Sequence, residues 1–345
     1  MQILSTPVSE HFDTIIDVRS PAEFEEDHLP GAINCPVLSN EERIEVGTLY
    51  KQVSPFAAKK RGAALVSANI SRHLDTCFSH HKKSWSPLVY CWRGGARSDA
   101  MTHVLRQVGW HASRLEGGYR AYRQFVLQQL EHLPLQFRFK VLCGETGTAK
   151  SKLLRTLEQE GAQVLDLEAL AAHKGSVLGL LPDIKQPGQK LFESSVWSAL
   201  RCFNQNKPVF VEAESRKIGR LRLPHALFVA MHTQSELVPI QASMSARIQF
   251  LMEDYHYFLT APDFLLKQLD YLQKLHSQTT LKTWKAMVHA GQWEPLVRAL
   301  LEMHYDPTYR RSMAHTFPGF SQAKPHTLTT LQDEELKGFA QHLLV

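Results

Sequence analysis

The stretch Val89-Tyr90-Cys91-Trp92-Arg93-Gly94-Gly95-Ala96-Arg97-Ser98 decides the fold at the amino-terminal end of this 345-residue chain. A short apolar run, Pro87 to Tyr90, leads into a loop that holds one cysteine, two glycines and two arginines, and a helix-like segment follows from Ser98. Glycines let the backbone curl so that several N–H groups face inward and bind an anion. The helix N-terminus adds about half a positive charge at the same place. The sequence therefore predicts a thiol inside an anion pocket.

The residue types around Cys91 predict a nucleophile. Because Arg93 and Arg97 are close, we expect the thiol to have a pKa below the roughly 8.5 of free cysteine. The loop residues expected to hold the anion are Gly94, Gly95 and Ser98. The alternative is that Cys91 is a small buried hydrophobic residue, as most cysteines are.

Length and composition bound the kind of protein. A chain of 345 residues exceeds the ~250–300 residues at which a single core stops growing, so we expect two domains. The 43% hydrophobic and 21% charged residues fit a globular protein, and no apolar run approaches the ~18–20 residues of a membrane span. The first thirteen residues lack the pattern of a secretion signal, so we expect a cytoplasmic protein without a membrane partner. The net charge of +5 permits a nucleic-acid partner without requiring one.

The cysteines do not predict a disulfide framework or a metal centre. They are scattered and show no metal-ligand spacing, and in a reducing compartment they are free thiols. The five cysteines are Cys35, Cys77, Cys91, Cys143 and Cys202. We therefore predict no metal centre and no tightly bound cofactor.

Residues 10–134 are predicted to form the first domain. Thr14–Arg19 reads as a short buried strand that ends in polar residues, and Ser20-Pro21-Ala22-Glu23 has the N-cap, proline and acidic first turn of a helix start. Strand and helix signals alternate as far as the helix that opens at Gly118 and ends near Leu133-Pro134. This alternation indicates a parallel α/β sheet.

Residues 137–345 are predicted to form a second, phosphate-loop domain. The strand Phe137–Leu142 is followed at once by Gly144-Glu145-Thr146-Gly147-Thr148-Ala149-Lys150-Ser151, the pattern G-x-x-x-x-G-K-[S/T] with Ala149 in place of the second glycine. Its backbone N–H groups are expected to hold a diphosphate, Lys150 to neutralise the outer phosphate, and Ser151 to reach a Mg²⁺ ion. The predicted diphosphate-binding residues are Gly144, Thr146, Gly147, Thr148, Lys150 and Ser151. The alternative is a helix cap preceded by turn residues.

Two further strands end in carboxylates, at Gln163–Glu168 and Pro208–Glu214. Glu212 and Glu214 share a strand face and either orient a metal or base, or are solvated acids at a strand end. The basic stretch that begins at Arg216 either holds a diphosphate or nucleic-acid backbone, or is a solvated run of charge. Past Pro239 the apolar spacing turns helical, and a short helix is expected over Gln332–Leu344.

The first domain resembles the rhodanese (sulfurtransferase) family, in which the loop cysteine carries sulfur as a persulfide. The matching motifs are Asp17-Val-Arg19, His28-Leu-Pro-Gly-Ala-Ile33, the Cys91 loop and Leu115-Glu-Gly-Gly-Tyr-Arg120. This match makes Asp17 and Arg19 candidate supporting residues. Cys91 and Arg97 are spaced C-x5-R, one residue longer than the usual rhodanese loop and equal to the spacing in related phosphatases. Those phosphatases usually have histidine before the cysteine, where this chain has Tyr90.

The whole chain, from Asp17 to about Ser312, resembles the bacterial tRNA 2-selenouridine synthases, in which a rhodanese-like domain precedes a phosphate-loop domain. The further motifs are Asp166-Leu-Glu168, His173-Lys-Gly-Ser176, Gln186-Pro-Gly-Gln-Lys190, Phe192-Glu193, Val211-Glu212, Glu214-Ser215, Ile218-Gly219 and His304-Tyr-Asp-Pro307. The resemblance implies an α/β fold in which the phosphate-loop domain carries a helical C-terminal part. It also implies an enzyme that exchanges sulfur for selenium at C2 of the wobble 2-thiouridine, position 34 of tRNA.

The same resemblance implies the substrates and the division of labour. Geranyl diphosphate would first alkylate the 2-thio group at the phosphate loop, and selenophosphate would then supply selenium. Cys91 would carry the selenium while Arg93 and Arg97 hold the donor's phosphate. Two other classes of protein remain open. One is a C-x5-R cysteine phosphatase or sulfurtransferase fused to a nucleotide-binding domain. The other is a non-enzymatic ATP-dependent regulator or RNA-binding module, in which Cys91 only packs.

Overall fold

The computed structural model describes residues 12–233, 235–317 and 319–345. Residue 10, the predicted start of the first domain, lies outside the described residues. So do most of the first thirteen residues, which lack the pattern of a secretion signal. The chain forms two compact units. The first holds the described residues up to Gln129 together with Gly188–Ser198, and the second holds Leu130–Pro187 and Ala199–Val345. No helix in these ranges combines the length and the apolar character that crossing a bilayer requires.

The first unit is built on a four-stranded parallel sheet with the strand order β2-β1-β3-β4. Its strands are β1 (Thr14–Asp17), β2 (Ala32–Asn34), β3 (Pro87–Tyr90) and β4 (Ser113–Arg114). Every residue of β3 is buried, as expected for a central parallel strand. This strand carries Cys91 at its carboxyl end, where open α/β sheets place their ligands.

Helices pack around this sheet. They are α1 (Pro21–Glu26), α2 (Asn40–Gln52), α3 (Pro55–Thr76), α4 (Ala96–Val108) and α5 (Gly118–His132). As the sequence predicts, α1 begins after Ser20, whose backbone N–H donates to the Glu23 carboxylate at 3.1 Å. The core between α3, α4 and the sheet contains Ile16, Val89 and Met101, all fully buried.

The second unit is built on a five-stranded parallel sheet with the order β11-β10-β5-β7-β6. The strands of this unit are β5 (Phe139–Cys143), β6 (Gln163–Leu165), β7 (Val209–Glu212), β8 (Lys217–Ile218), β9 (Leu221–Arg222), β10 (Ser235–Ala242) and β11 (His326–Leu328). Strands β8 and β9 form a small antiparallel hairpin outside the five-stranded sheet. The phosphate-loop pattern follows β5, the central strand. The predicted parallel α/β class is therefore confirmed for this unit.

The helices that follow α5 include α8, which begins in the first unit and ends in the second. They are α6 (Lys150–Gln159), α7 (Leu167–Ala171), α8 (Gln189–Leu200), α9 (His225–Thr233), α10 (Met244–Asp254), α11 (His256–Thr260), α12 (Pro262–Leu269), α13 (Gln278–His289), α14 (Trp293–Leu300), α15 (Asp306–Thr316) and α16 (Asp333–Leu344). Between α14 and α15 the chain makes one π-helical turn, Leu301–Tyr305. Such turns often mark functional sites, and this one carries His304 and Tyr305.

The structure corrects the expectation that the chain is helical directly after Pro239. Pro239 lies inside β10, where it pairs with Cys143 of β5, and the helices begin only at Met244. The chain then returns to the sheet at β11, whose Leu328 is buried in the same core as Leu153 of α6. The helical apolar spacing that indicated helices belongs to residues after Met244, and the strand pairing of β10 left no comparable pattern. The predicted helix at the C-terminus is confirmed as α16.

Candidate active site

The Cys91 loop is held in a tight turn by close backbone contacts. Gly94 has a φ of +66°, and a Cβ at this position would lie 2.8 Å from the Leu115 carbonyl oxygen. Gly95 is the N-cap of α4. The backbone N–H of Tyr119 donates to the Cys91 carbonyl at 2.9 Å. The loop therefore has little freedom, and its backbone contacts fix the main chain at Cys91.

The Cys91 thiol accepts stabilising contacts from the start of α4. Its Sγ lies 3.2 Å from the Ser98 hydroxyl oxygen and accepts the Gly95 N–H at 3.3 Å. Burial favours the neutral thiol, but the Ser98 hydroxyl and N–H, the Gly95 N–H and the Arg97 charge together outweigh it. The pKa of Cys91 is therefore lowered from that of a free cysteine, in the direction that the sequence predicts.

Two of the cations near the thiol differ in what they contact. The Arg97 guanidinium donates to the Glu23 carboxylate, with 2.7 Å between Nη1 and Oε2. Arg93 is exposed, lines the cleft over Cys91, and has no ion-pair partner within the described part of the chain. The cleft has a volume of about 420 Å³, and Arg43 of α2 lines it as well. Arg43 was missed because it lies far from the loop in sequence.

Asp17, the last residue of β1, and Arg19 form a buried ion pair. Arg19 Nη2 lies 2.6 Å from Asp17 Oδ2 and also donates to the Asp27 carbonyl at 2.6 Å. The guanidinium carbon lies 4.0 Å from the centre of the Tyr119 ring. Both side chains are at most 1% exposed, so their contacts shape the unit and do not reach the cleft.

The phosphate loop forms between β5 and α6. Lys150 Nζ donates to the Gly144 carbonyl at 2.8 Å, and the Gly144 N–H donates to the Tyr309 hydroxyl at 2.6 Å. Ala149, the departure from the glycine pattern, has a left-handed φ of +58° and is 2% exposed. An L-residue pays a strain cost there, and the buried methyl group offsets part of it by packing against the core that contains Leu153.

Arg247 of α10 contacts the phosphate loop and stabilises it. Its Nε donates to the Thr146 carbonyl at 2.8 Å, and its Nη1 lies 2.8 Å from the Glu145 carboxylate. Its Nη2 lies 2.5 Å from Asp306 Oδ1. Neither Arg247 nor Tyr309 was predicted, because both come from helices more than 90 residues beyond the loop and carry no motif of their own.

Three carboxylates gather at the carboxyl ends of β6 and β7. Oxygen atoms of Glu168, Glu212 and Glu214 lie within 4.8 Å of one another, and the Ser151 hydroxyl donates to Glu168 Oε2 at 3.3 Å. Burial and the charge of Glu212 raise the pKa of Glu214 to about 8, while burial and the two neighbouring carboxylates raise that of Glu168. Glu212 Oε1 is buried and has no hydrogen-bond partner among the residues that the structure describes. The chemistry of these oxygen donors fits a hard cation such as Mg²⁺.

Glu168 was not predicted as a site residue although it ends a segment that matched a family motif. The structure brings it beside Glu212 and Glu214 because α7 begins directly after β6. These carboxylates, the phosphate loop and the π-helical turn line one pocket of about 700 Å³.

A second, apolar cavity adjoins this pocket. The two share Thr146, Leu251, Tyr255 and Tyr305. The cavity lies among α10, α12 and α14 and is lined almost wholly by aliphatic and aromatic side chains, among them Leu265, Trp293, Leu296 and Leu300. No sequence motif indicated this cavity.

Arg216 is not among the residues that line the pocket around the phosphate loop. Its guanidinium lies over the Phe228 ring, with 4.8 Å between the guanidinium carbon and the ring centre. Arg220, in the turn between β8 and β9, donates to the Pro187 carbonyl at 3.2 Å. The basic stretch therefore makes contacts within the protein at these two positions.

Comparisons with known protein families match one domain model to the N-terminal part of the chain and a second to the part that follows it. A rhodanese-like domain model matches residues 2–125, and a model described as the tRNA 2-selenouridine synthase AAA domain matches residues 137–268. Among solved structures, the N-terminal domain of a putative ATP/GTP binding protein from Clostridium difficile 630 is 39% identical over 33% of this chain and 88% of that chain, with a TM-score of 0.30. That score is too low to bear on the fold.

Three curated relatives carry the same name. The tRNA 2-selenouridine synthase of Nitrosomonas europaea is 36% identical over 256 residues, which are 72% of this chain and 64% of that protein. The Nitrosomonas eutropha protein of the same name is 35% identical, and the match spans 62% of its length, again less than two thirds. The tRNA 2-selenouridine synthase of Alcanivorax borkumensis is 33% identical over 86% of this chain and 88% of its own length. This chain therefore belongs to the tRNA 2-selenouridine synthase family.

Proposed function

We propose that this protein is a cytoplasmic tRNA-modifying transferase that replaces sulfur by selenium at C2 of 2-thiouridine in the wobble position, 34. The observation that carries the proposal is the apolar cavity beside the phosphate loop, because a ligand that fills both has a diphosphate at one end and a hydrocarbon chain at the other. Geranyl diphosphate, the donor implied by the family, has this form. The lowered pKa of Cys91 supplies a thiolate for the second half of the reaction.

The first step is S-geranylation. The sulfur of 2-thiouridine attacks the first carbon of the geranyl group, a C–S bond forms, and the bond to the diphosphate oxygen breaks. The loop N–H groups and Lys150 would stabilise the charge that develops on the leaving diphosphate. Mg²⁺ held by Ser151 and the three carboxylates would neutralise part of that charge when bound.

The second step is exchange at C2. S-alkylation turns the sulfur into a leaving group, so that selenium adds to C2 and geranylthiol departs. Cys91 would take up selenium from selenophosphate, with Arg93 and Arg97 near the donor's phosphate. The phosphorus product identifies the atom that Cys91 attacks. Attack on selenium forms an S–Se bond and leaves phosphite; the selenium then joins C2 as a Cys91–S–Se–C2 adduct, and an added thiol reductant must cleave the S–Se bond to release 2-selenouridine. Attack on phosphorus releases selenide, which adds to C2 directly, and leaves a cysteinyl phosphate that water converts to orthophosphate.

The deciding experiment incubates the purified protein with 2-thiouridine tRNA and geranyl diphosphate, with and without selenophosphate, and analyses nucleosides by mass spectrometry. We expect S-geranyl-2-thiouridine without selenophosphate and 2-selenouridine with it. Cys91→Ser should accumulate the geranylated nucleoside, and Lys150→Ala should lower its formation.

The opposite pattern, in which Cys91→Ser abolishes geranylation and Lys150→Ala does not, would overturn the division of labour. No modified nucleoside, together with release of phosphate from aryl phosphates, would support the C-x5-R phosphatase instead. Lys152→Ala is a matched control for Lys150→Ala, because Lys152 lies in the same helix and pairs with Asp333.

A further inference from the structure

Three soft metal-ligand side chains meet in the first unit. Cys35 directly follows β2, His73 lies in the last turn of α3, and Cys77 is the C-cap of that helix. His73 and Cys77 are four residues apart, so they lie on one helix face. The fold brings this face against Cys35, which is distant in sequence. For that reason the cysteine spacing alone gave no sign of the group.

The distances suit tetrahedral coordination. One ligand atom from each residue lies within 4.8 Å of the other two, and Cys77 Sγ lies 3.6 Å from His73 Nδ1. Zinc–sulfur bonds of about 2.3 Å and zinc–nitrogen bonds of about 2.0 Å at tetrahedral angles place such ligand atoms roughly 3.5–3.8 Å apart. Cys77 Sγ and His73 Nδ1 are therefore at coordination distance, and a ligand atom of Cys35 lies within 4.8 Å of both residues' ligand atoms.

The imidazole of His73 is oriented for a metal by its other nitrogen. His73 Nε2 lies 2.9 Å from the Pro36 carbonyl oxygen, which accepts only a hydrogen and therefore fixes the proton on Nε2. The lone pair of Nδ1 then faces Cys77. This arrangement, with the second ring nitrogen bonded to a backbone carbonyl, is the one that metal-binding histidines use.

Backbone hydrogen bonds also fix the main chain at the two cysteines. The Cys35 N–H donates to the Asp17 carbonyl at 2.9 Å, and the Cys77 N–H donates to the His73 carbonyl at 2.9 Å. Cys35 is buried, while His73 and Cys77 are half-buried, so an ion reaches the group from the outer side. Cys91 is not a member of the group.

We propose that Cys35, His73 and Cys77 bind one thiophilic divalent ion, zinc being the best fit, with water in the fourth position. Both thiols lose their protons to solvent on binding, and the two thiolates neutralise the ion. The site joins β2 to the end of α3 and thereby stabilises the first unit. The proposal does not depend on the tRNA reaction.

The test uses the full chain, purified under reduction, stripped of metal and titrated with Zn²⁺ and with Co²⁺. We expect one Zn²⁺ per chain, a higher unfolding temperature on binding, and a cobalt spectrum with a thiolate-to-metal charge-transfer band. Cys77→Ser and His73→Gln should each weaken zinc binding by at least roughly 10-fold and remove the rise in unfolding temperature. These two positions are half-buried, so the variants should fold even if Cys35→Ser does not.

The matched controls are Cys202→Ser, an exposed thiol in the second unit, and Cys91→Ser. Both should retain the wild-type zinc stoichiometry. Zinc binding that survives Cys77→Ser but is lost in Cys91→Ser would overturn the assignment. So would a protein that takes up no zinc and instead loses two hydrogens as a Cys35–Cys77 disulfide under mild oxidation.

Discussion

The Arg97 guanidinium is bound to the Glu23 carboxylate, at 2.7 Å, on the edge of the cleft that holds Cys91. Both side chains are largely buried, and the ion pair lowers the pKa of Glu23 against the opposing effect of burial. Glu23 also accepts the Ser20 N–H that starts α1. Arg97 is thus tied to the fold, while Arg93 is exposed at the same cleft.

Exchanging each arginine for alanine should separate these roles. Arg93→Ala should raise the KM for selenophosphate by roughly 10- to 100-fold with little change in unfolding temperature, because a charge-assisted contact to the donor is worth about 1.5–3 kcal/mol. Arg97→Ala should lower stability by about 1–3 kcal/mol, since Glu23 loses its partner. Steady-state kinetics of selenouridine formation and thermal denaturation measure the two effects. Equal effects of both variants on KM, with no loss of stability, would contradict this assignment.

The Ser98 hydroxyl should control the ionisation of Cys91. Ser98→Ala removes the contact that most favours the thiolate, so the pKa of Cys91 should rise and its alkylation by iodoacetamide should shift to higher pH. Peptide mass spectrometry at Cys91 measures the rate across pH without interference from Cys202. Thr102→Ala, which deletes another buried hydroxyl one turn later in α4, is the control and should leave the profile in place. An unshifted profile in Ser98→Ala would mean that the hydroxyl does not stabilise the thiolate.

The carboxylate cluster should make stability fall as pH rises. Glu214 has a pKa of about 8 when folded, against an ordinary value of 4.5, so the folded state binds more protons than the unfolded state between these values. The stability that Glu214 contributes is present below about pH 4.5 and is lost as pH rises through about 8. Glu214→Gln should flatten this fall in urea denaturation, whereas Glu158→Gln, an exposed change in α6, should not.

Mg²⁺ tests the same cluster independently. Because protons compete with the cation, added Mg²⁺ should raise the unfolding temperature of the wild-type chain more near pH 8 than near pH 6. The increase should be smaller in Glu214→Gln. A pH-independent increase that is equal in both proteins would place the ion elsewhere.

Filling the apolar cavity should weaken the binding of geranyl diphosphate without weakening the binding of diphosphate alone. Leu265 lines the cavity and is 4% exposed, so the larger side chain of Leu265→Trp would occupy the space of the hydrocarbon chain. We expect the KM for geranyl diphosphate to rise by roughly 10-fold or more. Inhibition by inorganic diphosphate should be unchanged, since the phosphate loop is intact. Leu275→Trp, at a position 61% exposed, is the matched control. If diphosphate inhibition weakens equally, the substitution has disturbed the loop and the cavity does not hold the chain.

Much of the fold could be read from the sequence because local chemistry decides it. The buried run before Cys91, the capping residues Ser20 and Glu23, and the glycine-rich loop after β5 each specify their own segment. Strand β10 was not predicted, because it is stabilised by pairing with β5 despite the proline in its middle, and this pairing is not visible in the local sequence. Arg247 and Tyr309, which distant helices contribute to the site, were not predicted for a related reason. They reach the phosphate loop only through tertiary contacts.

The short segment Gly188–Ser198 gives this chain an unusual connectivity. It contributes Ser194, whose hydroxyl donates to Asp27 at 3.0 Å, and Glu193, which pairs with Arg123. The polypeptide therefore leaves the first unit, returns to it within α8, and leaves again. A gene fragment that stops at the end of the rhodanese-like sequence would therefore encode a unit that lacks most of one of its own helices.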